Sequence, residues 1–131
     1  MLRITLRDGE KAIVNGAVLR AVGRTQLAIE NHVAILRGSE VMKPEEATTL
    51  ARQLYFRAML AYIDPAGREA HQDAVVELLT AVVATIDTQE AQAACVRFAH
   101  EIAKGDHYRA LNAARDLIAL EKAQLPETEA A

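Results

Sequence analysis

The stretch Leu2-Arg3-Ile4-Thr5-Leu6-Arg7-Asp8-Gly9 decides how this chain is read. Apolar Leu2, Ile4 and Leu6 alternate with polar Arg3, Thr5 and Arg7, a period of two that belongs to a β-strand and puts both arginines on the solvent face. Asp8-Gly9 and Asn15-Gly16 follow at turn spacing. Both dipeptides accept the positive φ of tight hairpin turns, so strands are expected near 2–7 and 11–22. Thr25-Gln26-Leu27-Ala28-Ile29 alternates again. The continuous apolar run Val33-Ala34-Ile35-Leu36 is expected to be a strand buried on both faces. Gly23 and Gly38 mark the breaks.

From Pro44 onward the period lengthens to that of helices. Pro44, with Glu45 and Glu46 beside it, suits a first turn and predicts a helix running to about Ile63. Asp64-Pro65 supplies a cap and a first-turn proline for a second helix. Its stripe of Ala74, Val75, Leu78, Leu79, Val82, Val83 and Ile86 is wide enough to predict a central, much-buried element. Asp87 and Glu90 have capping-box spacing for a third helix, in which Cys95, Phe98 and Ile102 share a face and Gly105 fits the carboxyl-terminal cap. Asp106 can cap a last helix to about Gln124, with Leu111, Ala114, Leu117, Ile118 and Leu125 inward and a tail from Pro126 expected to fray. The predicted fold class is therefore α+β. A small N-terminal antiparallel β-sheet module (residues 1–43) precedes an Ala-rich bundle of about four α-helices (44–125) and a short tail (126–131), all in one compact chain.

Composition narrows the function. Residues 1–43 hold seven Lys/Arg against four Asp/Glu, whereas residues 44–131 hold eight against fourteen. A basic first half suits a polyanion, and the acidic second half suits a different partner. A 43-residue sheet is marginal by itself, so it must pack on the helices or on another copy. The single cysteine, Cys95, excludes an internal disulfide and fits a reducing compartment. No apolar run resembles a signal peptide or approaches the roughly 20 residues of a spanning helix, so a soluble cytoplasmic protein is expected.

Catalytic readings find little support. His32, His71, His100 and His107 lack zinc-motif spacing, and a lone thiol excludes paired-thiolate sites; no metal and no cofactor are expected. His71 with Asp73, and His100 with Glu101, read as solvated helix-surface groups, since adjacent helix positions point to different sides. Cys95 reads as a buried, inert core residue. Gly9, Gly16 and Gly23 are explained by turns and make no phosphate-binding loop. The chain is not expected to be an enzyme.

The ordered series Leu6-Arg7-Asp8-Gly9-Glu10-Lys11, Asn15-Gly16-Ala17-Val18, Leu27-Ala28-Ile29-Glu30-Asn31, Ile35-Leu36-Arg37 and Met42-Lys43-Pro44-Glu45-Glu46-Ala47-Thr48-Thr49, leading into Leu54-Tyr55-Phe56, resembles the FlbT family of flagellin-synthesis regulators. Gly38-Ser39 stands where that family carries a charged pair, and Leu50 where it carries a proline. The resemblance implies a post-transcriptional regulator that associates with the 5′ untranslated leader of flagellin messenger RNA and alters its translation and decay, in concert with the small protein FlaF. A sparser likeness joins Met1-Leu2, Thr5, Arg7, Gly9-Glu10 and Val33-Ala34-Ile35-Leu36-Arg37 to the carbon-storage regulator CsrA, a small β dimer that binds messenger leaders. Arg7 and Arg37 match its motif positions, while Leu6 replaces an arginine of its opening.

Under this resemblance the RNA contacts fall to Arg3, Arg7, Lys11, Arg20, Arg24 and Arg37, whose cations neutralise phosphates and, for arginine, stack on splayed bases. The β module contains no Phe, Tyr or Trp, so aromatic stacking is unavailable within it. No DNA and no membrane are expected as partners. The rival reading is a protein-interaction module acting through FlaF or another protein without touching RNA. Leu54, Tyr55, Phe56 and Met59 are its candidate partner or homo-oligomer interface.

Overall fold

The computed structural model describes residues 2–124. Met1, Leu125 and the tail from Pro126 lie outside the described residues. Five strands come first: β1 (Leu2–Leu6), β2 (Lys11–Val14), β3 (Ala17–Arg20), β4 (Thr25–Ile29) and β5 (Ile35–Arg37). Short 3-10 turns at Gly38–Glu40 and Pro44–Glu46 lead into α1 (Leu50–Ile63), α2 (Arg68–Thr85), α3 (Gln89–Lys104) and α4 (His107–Gln124). The fold is α+β, with the strands first and the helices after.

All pairing is antiparallel. β1 pairs with β4 in a two-stranded ribbon, Leu2 opposite Ile29 and Leu6 opposite Thr25. β2 lies between β3 and β5 in a separate three-stranded sheet. Asn15-Gly16 forms the tight β2–β3 turn, both residues with positive φ. Asp8-Gly9, expected to close a hairpin, instead turns the chain from one sheet to the other: Gly9 N donates to Ala21 O, and Asp8 Oδ1 accepts from Gly23 N at 2.8 Å. Ile4, Leu6, Ala12 and Ala21 form a small core between the sheets, joined by Leu27 and Ile35.

β5 is shorter than the apolar run suggested, and of that run only Leu36 is fully buried. Val33 and Ala34 precede the strand, where Ala34 N is held by the Asn15 side chain. Ile35 joins the β core, while Leu36 enters the core of the helices beside Leu54 and Tyr55.

Three helix expectations are corrected. Pro44 opens only a 3-10 turn, and α1 begins at Leu50 because the Thr49 hydroxyl accepts from Arg52 N and makes the cap. Gly67 delays α2 to Arg68, with Asp64 Oδ1 accepting from Gly67 N. Thr88, not Asp87, caps α3 by accepting from Ala91 N. Gly105 in the left-handed region and Asp106 accepting from Arg109 N close α3 and open α4 as expected.

Packing also corrects the rank of the helices. α1 packs on both α2 and α4, and α4 on α3, whereas α2 and α3 barely touch. The central pair is α1 and α4, whose small residues Ala51, Ala58, Ala110 and Ala114 are fully buried. In α2 only Val75 and Val82 are fully buried, and Val83 is exposed. A wide apolar stripe therefore does not make a helix central when its flank has no neighbour.

Two glycine substitutions separate local strain from crowding. Gly23→Ala meets open space but keeps positive φ, at an expected cost of about 1–2 kcal/mol. Gly16→Ala also drives a Cβ to 3.0 Å from Ile63 O at the end of α1, so urea unfolding should show the larger loss. Equal losses would mean that the hairpin does not press on α1.

Candidate nucleic-acid interface

The six expected cations are all exposed on the β module, but they do not form one patch. Lys11 and Arg20 face each other across β2 and β3. Arg3 sits on the β1–β4 ribbon. Arg7, Arg24 and Arg37 come together, from the end of β1, the β3–β4 loop and the end of β5, around a cleft of 1070 Å³. β1 and β5 lie in different sheets, so the turn at Asp8-Gly9 is what brings these arginines to one place.

Asp8, Glu10 and Glu40 line the same cleft, and each gives one carboxylate oxygen to a backbone amide. Asp8 accepts from Gly23 N, Glu10 Oε1 from Arg7 N at 2.9 Å, and Glu40 Oε1 from Arg37 N at 3.1 Å. Backbone amides take these acids, and among the described residues none of the six cations forms an ion pair. Every pair within 4.0 Å involves another cation: Arg97–Asp116, Lys104–Glu101, Arg109–Asp106, Arg115–Glu40 and His71–Asp64. Arg37 makes one long contact, Nη1 to Thr5 O at 3.5 Å.

Behind the cleft lies a junction that the sequence did not reveal. Glu40 Oε2 accepts from the Tyr108 hydroxyl and lies 3.6 Å from Arg115 Nη2, while Glu40 O accepts from the Tyr55 hydroxyl at 2.6 Å. Arg115 also donates to Tyr55 at 3.3 Å and sits over its ring. Tyr62 accepts from Ile35 N at 3.0 Å, and its ring packs at 5.9 Å from that of Tyr108. The hydrogen bond to Glu40, then burial, pushes the Tyr108 phenol up to about 12, and burial raises Tyr55 and Tyr62. Glu40 and Tyr108 are 68 positions apart, and no periodicity in the helical half points α4 at the sheet.

Tyr108, Glu40 and Arg37 also border a second, more apolar cleft of 610 Å³, walled by Leu2, Ile4 and Tyr62 among others. The arginine cleft thus has an aromatic wall, although the β module itself supplies none.

Among the expected partner residues, Leu54, Tyr55 and Met59 are buried in the helical core. Of the four, Phe56 alone keeps partial exposure. The exposed large hydrophobic side chains of the helices are instead Val76 and Val83 on α2, Val96 on α3 and Tyr108 on α4. His71, read as solvated, is mostly covered and bonds Asp64 at 3.0 Å, which with the Gly67 amide lowers the Asp64 carboxyl. His107 is buried against Gln72 and the Gly105 carbonyl, and burial lowers its affinity for a proton. Burial raises the Cys95 thiol, which disfavours the reactive thiolate. Among the described residues, no three His, Cys, Asp or Glu side chains converge as metal ligands, and no helix is long and apolar enough to cross a membrane.

The family model described as "Flagellar protein FlbT" matches residues 2–125. A "Probable flagellum biosynthesis repressor protein FlbT" of Agrobacterium fabrum (strain C58) is 36% identical over 128 residues, 98% of this chain and 86% of the relative. The protein of the same description from Caulobacter sp. (strain K31) is 32% identical over 125 residues, 95% of each chain. The "Flagellum biosynthesis repressor protein FlbT" of Caulobacter vibrioides (strain CB 15) is 30% identical over 125 residues, 95% of this chain and 89% of the relative. No solved structure matches significantly.

Phenolate absorbance tests the junction. All three tyrosines sit above their ordinary value of about 10. A raised folded value contributes stability that is full below pH of about 10 and is lost as the pH climbs towards 12. The folded protein should therefore show little phenolate at a pH where the urea-unfolded chain is half ionised. Tyr108→Phe should delete the latest-titrating phenol; a native curve matching the unfolded one would refute the Glu40 bond.

Proposed function

Because this chain belongs to the FlbT family of flagellar proteins, we propose that it regulates flagellin synthesis after transcription, binding the 5′ untranslated leader of flagellin messenger RNA and controlling its translation and decay. A regulatory role in flagellar synthesis accords with the names of its relatives, flagellum biosynthesis repressors. The RNA contact is our reading of the surface. One observation carries it: Arg7, Arg24 and Arg37 converge on a cleft while forming no ion pair among the described residues.

Unpaired guanidinium groups bind phosphate at lower cost than paired ones, because no existing ion pair must break. Their planar forks also suit bidentate phosphate contacts and stacking on unpaired bases. Arg3, Lys11 and Arg20 lie outside the cleft and add a supporting field. The action is binding without catalysis, and the cytoplasm, where messenger RNA is translated, is its place of action.

A second reading is favoured by Val76, Val83 and Val96, exposed on the two helices that scarcely touch each other. In that reading the helical half docks FlaF or a second copy of the chain, and RNA contact is indirect. The two compete only over whether the chain alone holds RNA.

Fluorescence anisotropy with leader and scrambled RNA over a salt series separates them. Leader-selective binding without any partner is expected. In the triple Arg7/Arg24/Arg37→Ala variant it should weaken, with the log-log salt slope shallower by about 2, near 0.7 for each phosphate contact. A folded wild-type protein that fails to select the leader would transfer the function to the protein partner.

A further inference from the structure

We propose that the apolar cleft behind Tyr108 is a pocket for one unstacked nucleobase of the bound RNA, with the Tyr108 ring as its stacking platform. This inference rests on the RNA reading above and specifies how part of the ligand is held.

Arg37, Glu40 and Tyr108 border both the arginine cleft and the apolar cleft, so the two spaces meet at those side chains. A strand whose phosphates follow Arg7, Arg24 and Arg37 therefore passes the mouth of the apolar cleft. At 610 Å³ that cleft has the size of a small-ligand site, roughly 300–1,000 Å³. Its apolar side chains, including Leu2, Ile4, Ile29 and Val33, suit the faces of a base and not a phosphate, and Glu30, Asn31 and His32 also line it. The arginines outside and the mixed lining inside match the phosphate and the base of a nucleotide.

Tyr108 is built for this position. It is 39% exposed, yet its hydroxyl is tied to Glu40 and its ring is braced by Tyr62. The platform is exposed and held before a ligand arrives, which lowers the ordering cost of binding. Both Glu40 oxygens already accept hydrogen bonds, Oε1 from Arg37 N and Oε2 from Tyr108, so the carboxylate positions the ring rather than reading the base. Duplex RNA cannot enter, because its bases stay stacked; a loop or single strand can.

The test uses the whole chain and leader RNA, with Tyr108→Phe, Tyr108→Leu and the triple arginine variant compared by anisotropy over a salt series. Ultraviolet crosslinking of the unmodified protein runs in parallel, mapped by mass spectrometry. Tyr108→Phe should bind within about threefold of wild type. Tyr108→Leu should lose roughly 5- to 150-fold, the span of a single base–aromatic stack, with the salt slope unchanged because no phosphate contact is lost. Crosslinks should fall on the peptide carrying Tyr108.

Wild-type affinity in Tyr108→Leu, beside loss in the arginine variant, would overturn the base pocket and leave the RNA reading standing. No selective binding by wild type would overturn both. If Tyr108→Leu fails to fold, the crosslink decides: an adduct on Tyr108 supports the pocket, and adducts confined to the β strands overturn it.

Discussion

The Glu40 side chain is the constraint on which the arrangement of the molecule depends. It stands in the 3-10 turn after β5, takes the amide of Arg37, and receives the hydroxyl of Tyr108 with the guanidinium of Arg115 nearby. Its own carbonyl takes the hydroxyl of Tyr55. One residue thus fixes the end of the β module to α1 and α4 together. A partly buried carboxylate is costly unless its lone pairs are met, and here both oxygens find donors. Loss of the acid would leave Arg115 without its ion-pair partner beside the Tyr55 ring.

From that junction follows the electrostatic division of labour. The helical half is acidic overall, and among the described residues four of its eight Lys and Arg, Arg97, Lys104, Arg109 and Arg115, form ion pairs. In the β module Asp8, Glu10 and Glu40 instead hold turns by accepting backbone amides, and among the described residues no arginine there is ion-paired. An exposed ion pair is worth at most about 1 kcal/mol, so the chain forgoes little stability by leaving these cations unpaired. What it gains is a surface whose charges are unspent.

The strands, the Asn15-Gly16 hairpin, the αL cap at Gly105 and the succession of four helices were legible because each is encoded locally, by period or by turn chemistry. Helix starts were misplaced where side-chain capping overrode proline: the hydroxyls of Thr49 and Thr88 set boundaries that Pro44 and Asp87 had suggested elsewhere. Leu54, Tyr55 and Met59 share helical spacing whether they face a partner or the core, so their sequence carried no distinction between the two. The exposed arginines were visible as a set, but the convergence of three of them was not. It depends on the turn that sends β1 and β2 into different sheets. The Tyr108 wall is a contact between residues far apart in the chain, and nothing local announces such a contact.

β5 carries a further consequence. Its neighbours Ile35 and Leu36 face opposite ways, one into the small core between the sheets and the other into the core of the helices. Because side chains alternate strictly along a strand, a slip of one residue would exchange the two and spoil both cores at once. The basic sheet is therefore not a cassette that evolution or an engineer can lift from its helices and graft elsewhere. Its β5 strand is correctly seated only while the helices are folded beneath it, so the exposed side chains of the basic surface can be exchanged more freely than the strand that carries them.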